Sequence, residues 1–155
     1  MRSRRCGRKD EGRAVSSIQL SSVGTRELYK IALETQKNSY SPYSHYAVGV
    51  ALRLSNGSIY RGTNFENSSF PAGTCAERTA IGTAVSENGK IQIMEMVIVT
   101  QSTPPGAPCG VCRQAIAEFA EPTALIHVSN AKGDLQSFTL GELLPHAFTS
   151  SSLKS

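Results

Sequence analysis

Leu28, Ile31 and Ala32 fall at the i, i+3, i+4 spacing of one buried helix face, with Thr25 placed to cap the first turn and Ser41-Pro42 to end the run. A helix is predicted over residues 25–38. The period then changes to two. Tyr46, Val48, Val50 and Leu52 alternate with smaller or polar residues, Asn56-Gly57 supplies a tight turn, and Ile59, Arg61 and Thr63 carry the return strand of a β-hairpin. A second helix is expected from Thr74 or Cys75 to Glu87, apolar at Ala80, Ile81, Ala84 and Val85 and ended by Asn88-Gly89. Residues 94–100 (MEMVIVT) read as a strand, TPPGAP as a rigid loop, and residues 110–120 as a buried helix with Cys112, Ile116 and Phe119 on neighbouring faces. A strand over 123–129, a turn over 130–134, a weaker strand over 135–138 and a short helix over 140–144 complete the chain. This order predicts an α/β fold, a mixed sheet of about five strands covered by helices.

Composition places limits on that domain. The 155 residues, 39% hydrophobic and 18% charged, suffice for one domain with its own core. No apolar run approaches the ~20 residues that cross a bilayer, and the first 30 residues lack the apolar stretch of a secretory signal. The expectation is a soluble protein of the cytoplasm, with no membrane partner and with the nucleus left open. An Arg- and Ser-rich start is shared with organelle transit peptides, and Asp10 and Glu11 count against one here.

Charge is unevenly placed. Arg2, Arg4, Arg5, Arg8, Lys9 and Arg13 against Asp10 and Glu11 account for the whole net charge of +4, while the rest of the chain balances ten basic against ten acidic residues. A folded part without basic excess disfavours nucleic acid as a partner. The start of the chain, polar and without periodicity, predicts a disordered basic extension over residues 1–24 and a folded domain over 25–155.

The chemistry is concentrated in two stretches, NFENSSFPAGTCAER at 64–78 and PCGVCRQ at 108–114. Cys109 and Cys112 have the Cys-x-x-Cys spacing that lets one turn hold an ion with two thiolates, and Cys75 supplies a third sulfur. The fourth cysteine, Cys6, lies in the polar start, so a metal site explains the cysteines better than two disulfides do. Three ligands leave a tetrahedral position open, as in a catalytic zinc site, and Glu77 stands beside it. A helix turns about 100° per residue, so Cys75 and Glu77 reach one pocket only if Cys75 sits at the helix start. Three thiolates leave a divalent zinc site at net negative charge, which calls for a nearby cation; Arg78 and Arg113 each follow a site residue directly.

Cys75-Ala76-Glu77 followed by Pro108-Cys109-Gly110-Val111-Cys112 is the signature of zinc deaminases. With Asn64-Phe65-Glu66-Asn67 and Leu143-Leu144-Pro145, the chain from about Thr25 to about Leu153 resembles the small homotetrameric cytidine deaminases. The resemblance implies a three-layer α/β/α fold and one Zn2+ per chain on Cys75, Cys109 and Cys112. It further implies hydrolytic deamination of cytidine and deoxycytidine in pyrimidine salvage, by zinc-activated water with Glu77 as proton shuttle. It assigns Asn64 and Glu66 to the ribose 3′-hydroxyl with Phe65 between them, and Arg78 to the ligand sulfurs. Phe148 matches an aromatic that covers the base from a neighbouring subunit, so a homotetramer with shared sites is expected. Tyr46 stands where the family usually carries phenylalanine against the ligand, and Phe70 where a tyrosine is usual.

Two other readings compete. A zinc deaminase acting on another aminopyrimidine nucleoside, a nucleotide or an RNA base would keep the metal, but Glu66 repels a phosphate. A non-catalytic zinc module would recruit His45, His127 or His146 as fourth ligand; none of these is spaced as a ligand pair, and Glu77 would then have no purpose.

Overall fold

The computed structural model describes residues 23–153. Helix α1 is Val23–Gln36, strands β1 and β2 are Gly49–Leu54 and Ile59–Thr63, α2 is Ala76–Asn88, and β3 is Ile93–Thr100. The order continues with α3 (Gly110–Ala117), β4 (Ala120–Asn130), β5 (Leu135–Thr139) and α4 (Leu140–Leu143). Short 3-10 turns occupy Phe70–Ala72 and Ser150–Leu153.

The five strands form one sheet in the order β2-β1-β3-β4-β5. Only β3 and β4 pair parallel, because α3 carries the chain back across the sheet between them; the other pairs are antiparallel. Alternation along β1 assigns the faces. Val50 and Leu52 join Met96, Ile98, Ile126 and Val128 under α2 and α3, while Ala51 joins Val97, Val99, Leu28 and Ala32 under α1. Both faces are therefore covered, which makes three layers. Removing Leu52, Ile98 or Ile126 from water contributes about 2–3 kcal/mol apiece. The helices come close to the sheet where side chains are absent: a Cβ on Gly49 would lie 2.1 Å from the Ala32 carbonyl, and one on Gly62 would lie 2.3 Å from the Ala80 nitrogen.

Several boundaries differ from the sequence expectation. Thr25 does not cap α1, which already includes Val23 and Gly24; it is buried within the helix and its Oγ1 donates to Glu95. The expected extension over 1–24 loses these two residues to α1, and the remainder of that expectation lies outside the described residues. The first hairpin strand begins at Gly49 and not Tyr46, because the Asn64 side chain takes up the Val48 N–H and the Tyr46 carbonyl. Helix α3 stops at Ala117 so that Ala120 can pair with Ile93 and start β4.

A polar cluster interrupts the α1 face of the sheet. His127, 4% exposed, shares Nδ1 with Ser137 Oγ at 2.7 Å, and its Nε2 lies 3.2 Å from Glu95 Oε1 without the alignment of a hydrogen bond. Glu95 also receives Thr25 and faces Arg53 Nε at 3.8 Å. Burial lowers the His127 pKa and outweighs the attraction of Glu95. The unfolded chain therefore takes up a proton that the folded chain resists, so stability is fully present above the unfolded value near 6.5 and declines as pH falls below it. We expect urea unfolding between pH 7.5 and 5.5 to show a loss that His127→Gln reduces, by at most about 1.4 kcal/mol per pH unit. Identical pH dependence in both proteins would refute this.

Candidate active site

Cys75 and Cys109 each stand at a helix N-cap, before α2 and α3, with extended backbones (ψ 153° and 165°) and no side-chain capping bond. Their carbonyls accept the Thr79 and Arg113 N–H groups, so each helix starts without using its sulfur. Cys112 lies one turn into α3 and is buried. The three Sγ atoms converge within 4.8 Å of one another.

Cys75 and Cys112 shift one another in opposite directions. The hydrogen bond from Cys112 pushes Cys75 down to about 6 against burial and the adjacent Glu77, with smaller downward pulls from Cys109 and Arg78. Cys112 is pushed strongly up, first by that hydrogen bond and then by burial. Tetrahedral zinc at about 2.3 Å would hold sulfurs about 3.8 Å apart, a spacing this cluster reaches with small movements. A donor set of three converging sulfurs, one ready to ionise at neutral pH, fits zinc.

Glu77 is in the first turn of α2, 5% exposed and outside the sulfur trio. Burial raises its pKa, opposed in part by its own backbone N–H and the Cys112 thiol. It lines a cavity of about 410 Å³ with the three cysteines, Tyr46, Asn64 and Gly106. A neighbouring groove of about 510 Å³ shares Ser44, Asn64 and Cys75, and Phe65, Glu66 and Phe70 form more of its wall.

The structure brings together Glu77, the cysteines, Tyr46, Asn64, Phe65 and Glu66, but not in equal roles. Asn64 is occupied by the protein: Oδ1 accepts from Ser39 Oγ at 2.7 Å and Val48 N–H at 2.8 Å, and Nδ2 donates to the Tyr46 carbonyl at 2.9 Å. One Nδ2 hydrogen is left to face a ligand. Glu66 Oε2 accepts from the Tyr43 and Ser44 N–H groups, and Ser44 foremost holds its carboxyl below the usual range, so it is ionised at neutral pH. Arg78 is exposed and acts on Cys75 only as a charge. Arg113 is a clamp: Nε donates to the Pro108 carbonyl and Nη1 to that of Leu143, tying the ligand loop to α4. Phe148, 58% exposed, lines neither cavity of its own chain, though its carbonyl accepts from Gln114 Nε2.

Sequence reasoning missed Ser39, Tyr43 and Ser44, whose bonds shape Asn64 and Glu66, and Thr100, Ser102 and Gly106 on the opposite side. The polar and aromatic run SYSPYS between α1 and β1 was the available signal, since it is too rich in side-chain donors for a plain connector.

Comparison with known proteins agrees with this geometry. Residues 24–128 match the family model described as the cytidine and deoxycytidylate deaminase zinc-binding region. The chain is 42% identical over 122 residues to a cytidine deaminase of Halalkalibacterium halodurans, covering 79% of this chain and 92% of that protein. A cytidine deaminase of Sporosarcina psychrophila is 40% identical over 130 residues, 82% of this chain and 95% of the other. The crystal structure of cytidine deaminase from Burkholderia pseudomallei superposes with a TM-score of 0.74 at 36% identity, over 79% of this chain and 98% of that one. Cysteine-lined helix starts, the buried glutamate beside them and the likeness across most of the domain agree: the chain belongs to the cytidine and deoxycytidylate deaminase family.

Proposed function

We propose that this chain hydrolyses cytidine and deoxycytidine to uridine and deoxyuridine with release of ammonia. The observation that carries the reading is Glu77, buried beside the three sulfurs yet outside their ligand set, in a cavity shared with Asn64. Cys75, Cys109 and Cys112 would hold one zinc ion per chain. When bound, zinc supplies the Lewis acidity that lets water attack an amidine carbon at neutral pH.

Glu77 does the proton work. Burial raises the affinity of its carboxyl for a proton, so it can take one from the attacking water and deliver it to the ring nitrogen beside the amino-bearing carbon. It then takes the second from the newly added hydroxyl and passes it to the departing amine. The N-cap positions of Cys75 and Cys109 place the positive ends of two helix dipoles beside the sulfurs that would hold the metal. Asn64 offers one amide hydrogen toward the sugar, and Glu66 offers a carboxylate whose charge repels a 5′-phosphate.

The same reading includes a homotetramer, pyrimidine salvage as its setting and the cytoplasm as its compartment. The support for the homotetramer is Phe148, exposed on a segment anchored to α3 and lining neither of the two cavities described, as an aromatic delivered to a neighbouring copy would be. Among the described residues no helix is long and apolar enough to cross a membrane.

The test is loss of cytidine absorbance, run beside cytidine monophosphate, zinc content and sedimentation mass on one preparation. The expected result is turnover of cytidine, about one zinc per chain, weak reaction with the monophosphate and a mass of four chains. Glu66→Gln should narrow the gap between the two substrates. Full zinc with no turnover of cytidine would overturn the reading.

A further inference from the structure

Tyr46 lines the catalytic cavity, and its hydroxyl is committed elsewhere, 3.0 Å from Ser102 Oγ. Ser102 Oγ lies in turn 3.3 Å from Thr100 Oγ1, and Thr100 Oγ1 accepts the Gly106 N–H at 3.0 Å. Thr100 is 3% exposed and, like Gly106, belongs to the same cavity wall. The three hydroxyls thus run from one side of the cavity to the backbone of the other.

A second tie runs beside the first, because the Ala47 N–H donates to Gln101 Oε1 at 3.1 Å. From behind, the buried Asn130 donates through Nδ2 to the Ser102 carbonyl at 3.1 Å and to Asp134 Oδ2 at 2.9 Å. The loop is held at its back by Asn130 and at its front by Tyr46 and Ala47. Gly106 packs closely against these hydroxyls: a Cβ on it would lie 2.8 Å from the Tyr46 hydroxyl oxygen and 3.3 Å from Ser102 Oγ.

We propose that Tyr46, Ser102 and Thr100 form a hydroxyl strut that sets the width of the substrate slot, with Ser102 a positioning residue that touches no substrate. The proposal rests on the reading of this cavity as a nucleoside site. Fixing the Gly106 backbone against the Tyr46 hydroxyl holds two parts of the cavity wall in place before a flat ring enters. It also gives the tyrosine hydroxyl a use that phenylalanine at position 46 could not supply.

The experiment compares KM and kcat for cytidine in the zinc-loaded chain and in Tyr46→Phe, Ser102→Ala, their double variant and Ser102→Thr. Each single loss should raise KM about three- to tenfold with kcat nearly unchanged, the scale of one neutral hydrogen bond. The double variant should be no worse than Ser102→Ala alone, since that change already removes the contact that Tyr46→Phe breaks. Ser102→Thr keeps the hydroxyl and should restore KM. Gly106→Ala should raise KM as well, and Tyr46→Phe placed on it should recover part of the loss by removing the oxygen it strikes. Additive effects, unchanged KM in both singles, or loss of zinc in Ser102→Ala would overturn the strut. A wild-type chain inactive on cytidine at full zinc would count against the substrate reading alone. The strut is then judged by the coupling of Tyr46→Phe and Ser102→Ala in urea unfolding, where additivity refutes it.

Discussion

Glu77→Gln should lower kcat on cytidine by about 10⁴-fold, the upper end of what one general acid/base group supplies, or about 5.5 kcal/mol in the barrier. The upper end is expected because a single carboxyl serves more than one proton transfer and, among the described residues, no other carboxyl lines the cavity. Glutamine keeps the shape and packing of the side chain, and Glu77 is not one of the converging sulfurs, so zinc should stay at one per chain. Stability gives an independent check. Burial raises the Glu77 pKa, so stability linked to its protonated form is lost as pH rises above 4.5 through the higher folded value. A neutral amide escapes that loss, and metal-free Glu77→Gln should unfold at the same or higher urea concentration than metal-free wild type at pH 7.5. A variant with full zinc and normal turnover would remove Glu77 from the mechanism.

What the sequence disclosed and what it withheld divide along a physical line. Cys75 at a helix start followed from local geometry alone, since only an N-cap residue escapes the 100° step that would part it from Glu77. The two-faced sheet was likewise written in the alternation of Val50, Ala51 and Leu52. Side-chain bonds between distant segments leave no period to read. Asn64 reaches 25 positions to Ser39, and Tyr46 reaches 56 to Ser102. Thr25 misled for a related reason: a hydroxyl before an apolar run suits a cap, but here its partner is Glu95, 70 positions away. Phe148 is different again, because the surface it was expected to meet is not on its own chain.

Cys112→Ser is the second large effect, and it separates a catalytic metal from a structural one. A serine hydroxyl does not ionise near neutral pH, so the site loses its buried ligand and the anchor of the Cys75 hydrogen bond. Zinc should fall below about 0.1 per chain after dialysis, and turnover should fall at least about 10³-fold. The fold should survive, because the core under α2 and α3 is built from apolar side chains such as Leu52, Ile93, Met96 and Ile116, all fully buried without any metal contact. The thermal midpoint should still drop, since an ion bound at a free concentration of 1,000 Kd stabilises the native state by about 4 kcal/mol. Chelator should bring wild type down to the midpoint of the variant and leave the variant where it is. Stoichiometric zinc in Cys112→Ser would show that the ligand set is wrong. Loss of far-UV circular dichroism on chelation of wild type would make the metal a folding staple, and the site would then owe its sulfurs to structure and not to catalysis.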